Sequence, residues 1–181
     1  MLHLKNITAG NPKTAEQYQM TKQHGITWLF SEDDKNWYEE QKNFASDTIK
    51  MVYTGDGRVV WVGKDVTGIE PRNASVIEVP DITANRRITV PGYWFYRDDK
   101  FVFDYKLKAE DERDALLQQA SIMTSEWEKD LLLGLISDED REKLKAYRIY
   151  AKSLQAMDFS IITDKTSYNA IEWPVSPEAS S

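Results

Sequence analysis

Leu116-Leu-Gln-Gln-Ala-Ser-Ile-Met-Thr-Ser-Glu-Trp-Glu-Lys-Asp-Leu131 places Leu116, Ala120, Met123, Trp127 and Leu131 at steps of three and four residues. An α-helix brings positions so spaced to one face, so this run reads as one long amphipathic helix. It follows the acidic segment Glu110-Asp-Glu112, which suits the positive end of the helix dipole as a first turn. Gly134 interrupts the period, and Ser137 with Asp140 has capping-box-like spacing for a restart, with Asp in place of the usual Glu or Gln. Leu144, Tyr147, Ala151 and Leu154 then continue the pattern. The expectation is an antiparallel helical hairpin. Its stripe needs a cover, because two helices alone leave much of it in water. Self-association through Leu116, Met123, Trp127, Leu131, Leu144, Tyr147 and Leu154 is the preferred reading.

Upstream the punctuation changes. Seven of the eight glycines lie at or before Gly92, and no proline occurs between Pro91 and Pro174. This asymmetry predicts an α+β chain with a small strand-rich N-terminal domain over residues 1–106. The helical hairpin domain follows over 107–181 and ends in an extended tail with Trp173 as its aromatic anchor. Thr14-Ala-Glu-Gln17 has capping-box spacing and Gly25 is a C-terminal stop, which brackets a short helix from about Ala15 to His24. Ile26-Thr-Trp-Leu-Phe30 reads as a strand, and order restarts at Trp37-Tyr38. Ile49, Met51 and Tyr53 alternate, Gly55-Asp-Gly57 supplies a turn, and Arg58-Val-Val-Trp-Val62 returns, which makes a hairpin. A second hairpin pairs Tyr93-Trp-Phe-Tyr96 with Phe101-Val-Phe103. Residues 66–87, interrupted by Pro71 and Pro80, read as mostly irregular.

Composition excludes several classes of function. With 23 basic against 30 acidic side chains and a net charge of −7, the surface opposes polyphosphate binding, so nucleic acid is not an expected partner. The chain has no Cys, which removes disulfides, thiolate nucleophiles and thiolate metal ligands. Met1-Leu-His-Leu-Lys-Asn6 lacks the apolar stretch of a signal peptide, and no run is long and apolar enough to span a bilayer. Cytoplasmic residence without membrane contact is expected.

Catalytic patterns are missing too. His3 and His24 belong to no zinc-ligand spacing, and Gly55-Asp-Gly57 leads into no helix of the kind that cradles a phosphate. The acidic pairs Asp33-Asp34 and Asp98-Asp99 read as solvated turns rather than general acids or calcium ligands. No catalytic residue, metal or cofactor is assigned. What stands out is the aromatic content, six Trp and nine Tyr, because such side chains give protein interfaces large contact area at little entropic cost and also stack on sugars. Trp28, Phe30, Trp37, Tyr38 and Trp61 are the candidate contact residues of the first domain, with core packing the alternative for each.

Longer words in the chain carry a resemblance. Leu2-His-Leu-Lys-Asn-Ile-Thr-Ala-Gly-Asn-Pro-Lys-Thr-Ala-Glu-Gln-Tyr18, Trp28-Leu-Phe-Ser-Glu-Asp33 and Lys35-Asn-Trp-Tyr-Glu-Glu40 come in order. Asn43-Phe44, Asp47-Thr-Ile-Lys50 and Val79-Pro-Asp-Ile-Thr-Ala-Asn-Arg-Arg87 follow them. Together with the 127–136 helical stretch and Trp173-Pro174, these resemble successive blocks of the tail fibre assembly chaperones of tailed bacteriophages, Mu and lambda type. Ile88-Thr-Val-Pro-Gly-Tyr-Trp-Phe-Tyr96 and Lys106-Leu-Lys108 depart from that pattern. The resemblance implies a non-enzymatic helper in the host cytoplasm, with a phage tail fibre protein as partner. Its N-terminal domain would bind the C-terminal region of the fibre, its helical domain would promote oligomerisation, and in Mu-like members the helper can stay on the virion. The competing reading is a virion-retained adhesin whose exposed aromatics bind host surface glycan.

Overall fold

A computed structural model describes residues 1–180, which divide into two compact units at Phe103/Asp104. The expectation of an α+β chain holds: antiparallel strands come first and helices follow.

The first unit is built on a five-stranded antiparallel sheet of order β2-β1-β5-β3-β4. Its strands are β1 His3–Gly10, β2 Trp28–Phe30, β3 Thr48–Thr54, β4 Val59–Gly63 and β5 Ala74–Pro80. Helix α1 spans Ala15–His24; the Thr14 hydroxyl accepts from Gln17 N at 3.1 Å, and Gly25 closes the helix at φ 66°. The expected reciprocal bond does not form, since the Gln17 side chain accepts from Lys13 N at 2.7 Å instead. Helix α2, Trp37–Glu40, starts at an Asn36 cap, a 3-10 turn follows over Gln41–Asn43, and α3 spans Thr83–Arg86.

Alternation along β3 and β5 sorts the side chains onto two faces. Leu4, Ile7, Leu29, Trp37, Val52 and Val76 form the core on one side; Ile49, Met51, Val59, Val79 and Ile88 form the other. The hairpin of β6 Trp94–Arg97 and β7 Lys100–Phe103 covers the second face, with Trp94 and Phe101 packed against it. Two-residue turns of this kind need positive φ, which Asp98 (50°) and Asp99 (57°) supply.

Two expectations fail here. Residues 66–87 are not mostly irregular, because β5 lies at the centre of the sheet, paired with β1 and β3. Strand β1, in a segment read only for its helix, carries a register shift between Leu4 and Ile7, with Asn6 at φ 48°. That bulge puts two residues three apart into the same core, which plain alternation forbids.

In the second unit α4 spans Tyr105–Leu133, capped by Asp104, whose side chain accepts from Leu107 N at 2.9 Å. Glu110-Asp-Glu112 therefore lies inside the helix rather than forming its first turn. Gly134 ends α4 at φ 70°, and Ser137 caps α5, Asp138–Gln155, by accepting from Asp140 N at 3.1 Å. The helices run antiparallel, with Ala120 in one buried cluster with Tyr150 and Leu154 and the Trp127 ring 6.0 Å from Tyr147. Beyond α5 the chain adds a short helix that the sequence reading did not include, and the segment from Ile171 to Ser176 after it is without helix or strand. Helix α6, Lys165–Asn169, carries Tyr168, whose hydroxyl donates to Glu112 at 2.6–2.7 Å. Trp173 packs on Phe159 at 5.7 Å and joins both apolar clusters of this unit.

Candidate functional site

Burial separates the five aromatic candidates of the first unit. Trp37 is completely buried and donates from its indole N–H to Ile69 O at 3.3 Å. Phe30 is buried and has the Lys13 ammonium 4.0 Å above its ring. Trp61, half-buried on β4, leans over Gly63; a Cβ there would sit 2.5 Å from its ring. These side chains build the core and its edges. Trp28, at 8% exposure, is nearly as buried as Phe30, but it lies with the more exposed Tyr38 beside an open groove.

Trp28 is fixed from three sides. Its indole N–H donates to the Thr21 hydroxyl at 2.8 Å and to Gln17 O at 3.2 Å, and its ring meets Tyr38 edge-on at 5.8 Å. Tyr38 is 39% exposed, with its hydroxyl donating to Thr27 O at 3.1 Å. The two line a groove of about 540 Å³ together with Met20, Ile26 and the Glu70–Arg72 ion pair. The groove combines an amphipathic ring whose polar end is satisfied, apolar walls and a charged rim.

The candidate self-association residues divide in the same way. Leu144, Tyr147 and Leu154 are buried within the second unit, while Leu116 and Trp127 are half-buried and pack against the cluster that holds Tyr147 and Leu154. Met123 and Leu131 are about half exposed, at 45% and 46%. Around the hairpin turn Leu132 is 87%, Leu133 70% and Leu135 72% exposed, and Ile149 on α5 is 68% exposed. Leu131, Leu144 and Ile149 line a groove together with Glu128, Arg141, Lys145 and Arg148. Leu132, Leu133, Leu135 and Ile149 were missed because they fall off the regular stripe; for the leucines, adjacency of apolar residues at a helix end was the available signal.

Titratable groups are arranged for structure. His3 Nε2 lies 2.7 Å from the Tyr53 hydroxyl, and burial, then the nearby Lys5 charge, lowers its pKa. The Tyr96 hydroxyl donates to Asp99 at 3.1 Å, and burial followed by that carboxylate pushes the phenol up to about 12. Asp81, between Arg86 at 2.6 Å and Lys64 at 2.7 Å, is held down to about 2 by those two bonds. Among the described residues no group of three or more His, Asp or Glu side chains is placed to hold a metal ion, and no helix is long and apolar enough to cross a membrane.

Comparison with known proteins gives a consistent result. The family described as Caudovirales tail fibre assembly protein, lambda gpK, matches residues 39–178. The chain is 47% identical over 184 residues to tail fiber assembly protein U' of Escherichia phage Mu, covering 98% of this chain and 100% of that protein. It is 46% identical to the protein of the same name in Escherichia phage P1 and 40% identical to a probable tail fiber assembly protein of Escherichia phage P2, with the same coverage of both chains.

Proposed function

The chain belongs to the Caudovirales tail fibre assembly family, and from that membership we propose that it is a non-enzymatic chaperone that binds the C-terminal region of a phage tail fibre protein and promotes its folding and trimerisation. The observation that carries this reading is the full-length match to relatives named for tail fibre assembly. The surfaces support it: the Trp28–Tyr38 groove of the first unit offers the fibre a contact, and the exposed leucines at the turn of the second offer a means of self-association.

The physical logic concerns a trimeric fibre whose unpaired strand edges and apolar surfaces must stay apart until three chains are in register. A protein that covers these surfaces blocks wrong pairing. If it also self-associates, the fibre chains it carries gain effective concentration with no new fibre contact. The site of action is the host cytoplasm during virion assembly, with retention on the finished fibre as one outcome of tight binding.

Co-expression with the C-terminal portion of the fibre protein from the same phage, followed by size-exclusion chromatography with light scattering, tests the proposal. Soluble trimeric fibre obtained only in the presence of this chain is the expected result. Fibre that trimerises equally well alone would overturn the assembly role.

A further inference from the structure

A second pocket of the first unit, about 350 Å³, opens where the β6–β7 hairpin lies over the sheet. Its floor is apolar, made by Ile77 and Val79 of β5, Ile88, Trp94 and Phe101. Arg87 and Lys100 are exposed at this pocket, and neither side chain has a hydrogen-bond or ion-pair partner among the described residues. The neighbouring cations are occupied: Arg86 and Lys64 both bind Asp81. Asp99, the acidic side chain at the pocket, accepts from Tyr96 at 3.1 Å. In a chain of net charge −7, an apolar floor beside two unpaired cations is a local inversion of the surface.

We propose that this pocket takes an acidic peptide segment of the fibre protein, an apolar side chain seating on the floor and an adjacent Asp or Glu pairing with Arg87 and Lys100. The inference rests on the fibre-binding reading above and names a contact within it. Aliphatic side chains supply much of the floor, and the aromatic rings are engaged internally: Tyr96 stacks on Tyr53 at 4.8 Å and on Phe101 at 5.0 Å, and Trp94 meets Phe103 at 5.3 Å. A saccharide would need a free ring face to stack on. The volume lies at the small end of ligand pockets and suits one or two side chains. Arg87 offers a planar fork for a carboxylate, and Lys100 adds a second charge.

The test measures binding of the full chain to the C-terminal fragment of the fibre protein at low and moderate salt. The Arg87→Glu/Lys100→Glu variant is expected to lose roughly ten-fold or more in affinity, and Arg87→Lys to lose less than that. Thermal melting checks that the variants fold; if the double reversal does not, Arg87→Gln/Lys100→Gln is read in its place. Recovery of binding when an acidic fibre residue is changed to Lys supports the pairing directly. Wild-type binding that the charge changes leave untouched overturns this site while the assembly role stands. A wild-type chain that does not bind the fragment overturns both. Charge-dependent binding of a phosphorylated lipopolysaccharide core oligosaccharide, with fibre binding unaffected, overturns the peptide assignment in favour of glycan.

Discussion

Glu78 ties three segments of the first unit together with one carboxylate. One oxygen accepts from Ala45 N and the Thr48 hydroxyl, both at 2.7 Å, and the other from Leu2 N at 2.9 Å. Its cross-strand partner Lys50 is also buried, and the Lys50 ammonium donates to Ala45 O. Burial alone would raise the Glu78 pKa, but the three hydrogen bonds and Lys50 outweigh it and hold the carboxyl below its ordinary value. A depressed folded-state pKa stabilises the fold above the unfolded value of about 4.5, and this contribution is lost as pH falls through the folded pKa. Glu78→Gln keeps one good acceptor and turns the other into a donor facing donors, at a cost of about 2 kcal/mol. Urea melts at pH 7 measure that loss, and melts stepped down to pH 3 should show a flatter acid dependence in the variant. Gly57 is as constrained. It has φ 88°, its carbonyl accepts from Tyr96 N at 2.7 Å, and an added Cβ would lie 2.5 Å from Tyr96 O. Gly57→Ala is therefore expected to destabilise by about 1–3 kcal/mol, read as a lower melting temperature with β6 loosened from the β3–β4 turn.

Among the elements, the helical hairpin separates packing from exposure most clearly. Leu154 is completely buried, so Leu154→Ala should cost about 2–5 kcal/mol in a urea melt. Leu132→Ser/Leu133→Ser/Leu135→Ser touches only exposed positions, so melting should hardly change, while light scattering of the chain alone should show a smaller average mass if these leucines drive self-association. The same contrast explains what could be read in advance. Elements bounded by local chemistry were legible: α1 between Thr14 and Gly25, the β3–β4 hairpin around Gly57, and α5 from Ser137. Strand β5 was not, because both of its faces are buried and its sequence shows no apolar–polar alternation, and the prolines near its ends look like breaks. Strand β1 was hidden by its bulge. For the candidate site, aromatic residue type was visible but solvent exposure was not. Trp37 and Tyr38 are adjacent in sequence, yet one is enclosed in the core and the other faces a groove, a difference fixed by long-range packing.

At the scale of the whole molecule, each unit has its own apolar clusters: two sandwich the sheet of the first and two lie within the helical second. Residues 1–103 and 104–181 expressed separately are each expected to melt cooperatively. A first fragment that still captures the fibre, and a second that does not, would assign recognition to the sheet unit. The strand order has a further effect, on the order of events during synthesis. His3 pairs with Ile77 and Thr54 with Ala74, so β5 is the strand that joins β1 to β3. A nascent chain that has not yet delivered Pro80 holds the β3–β4 hairpin with β1 waiting and an empty lane between them, whereas the helices downstream close through near neighbours. The sheet therefore stays unsealed over the stretch of synthesis between Gly63 and Pro80, and a truncation just before β5 would leave two sticky edges instead of a smaller domain.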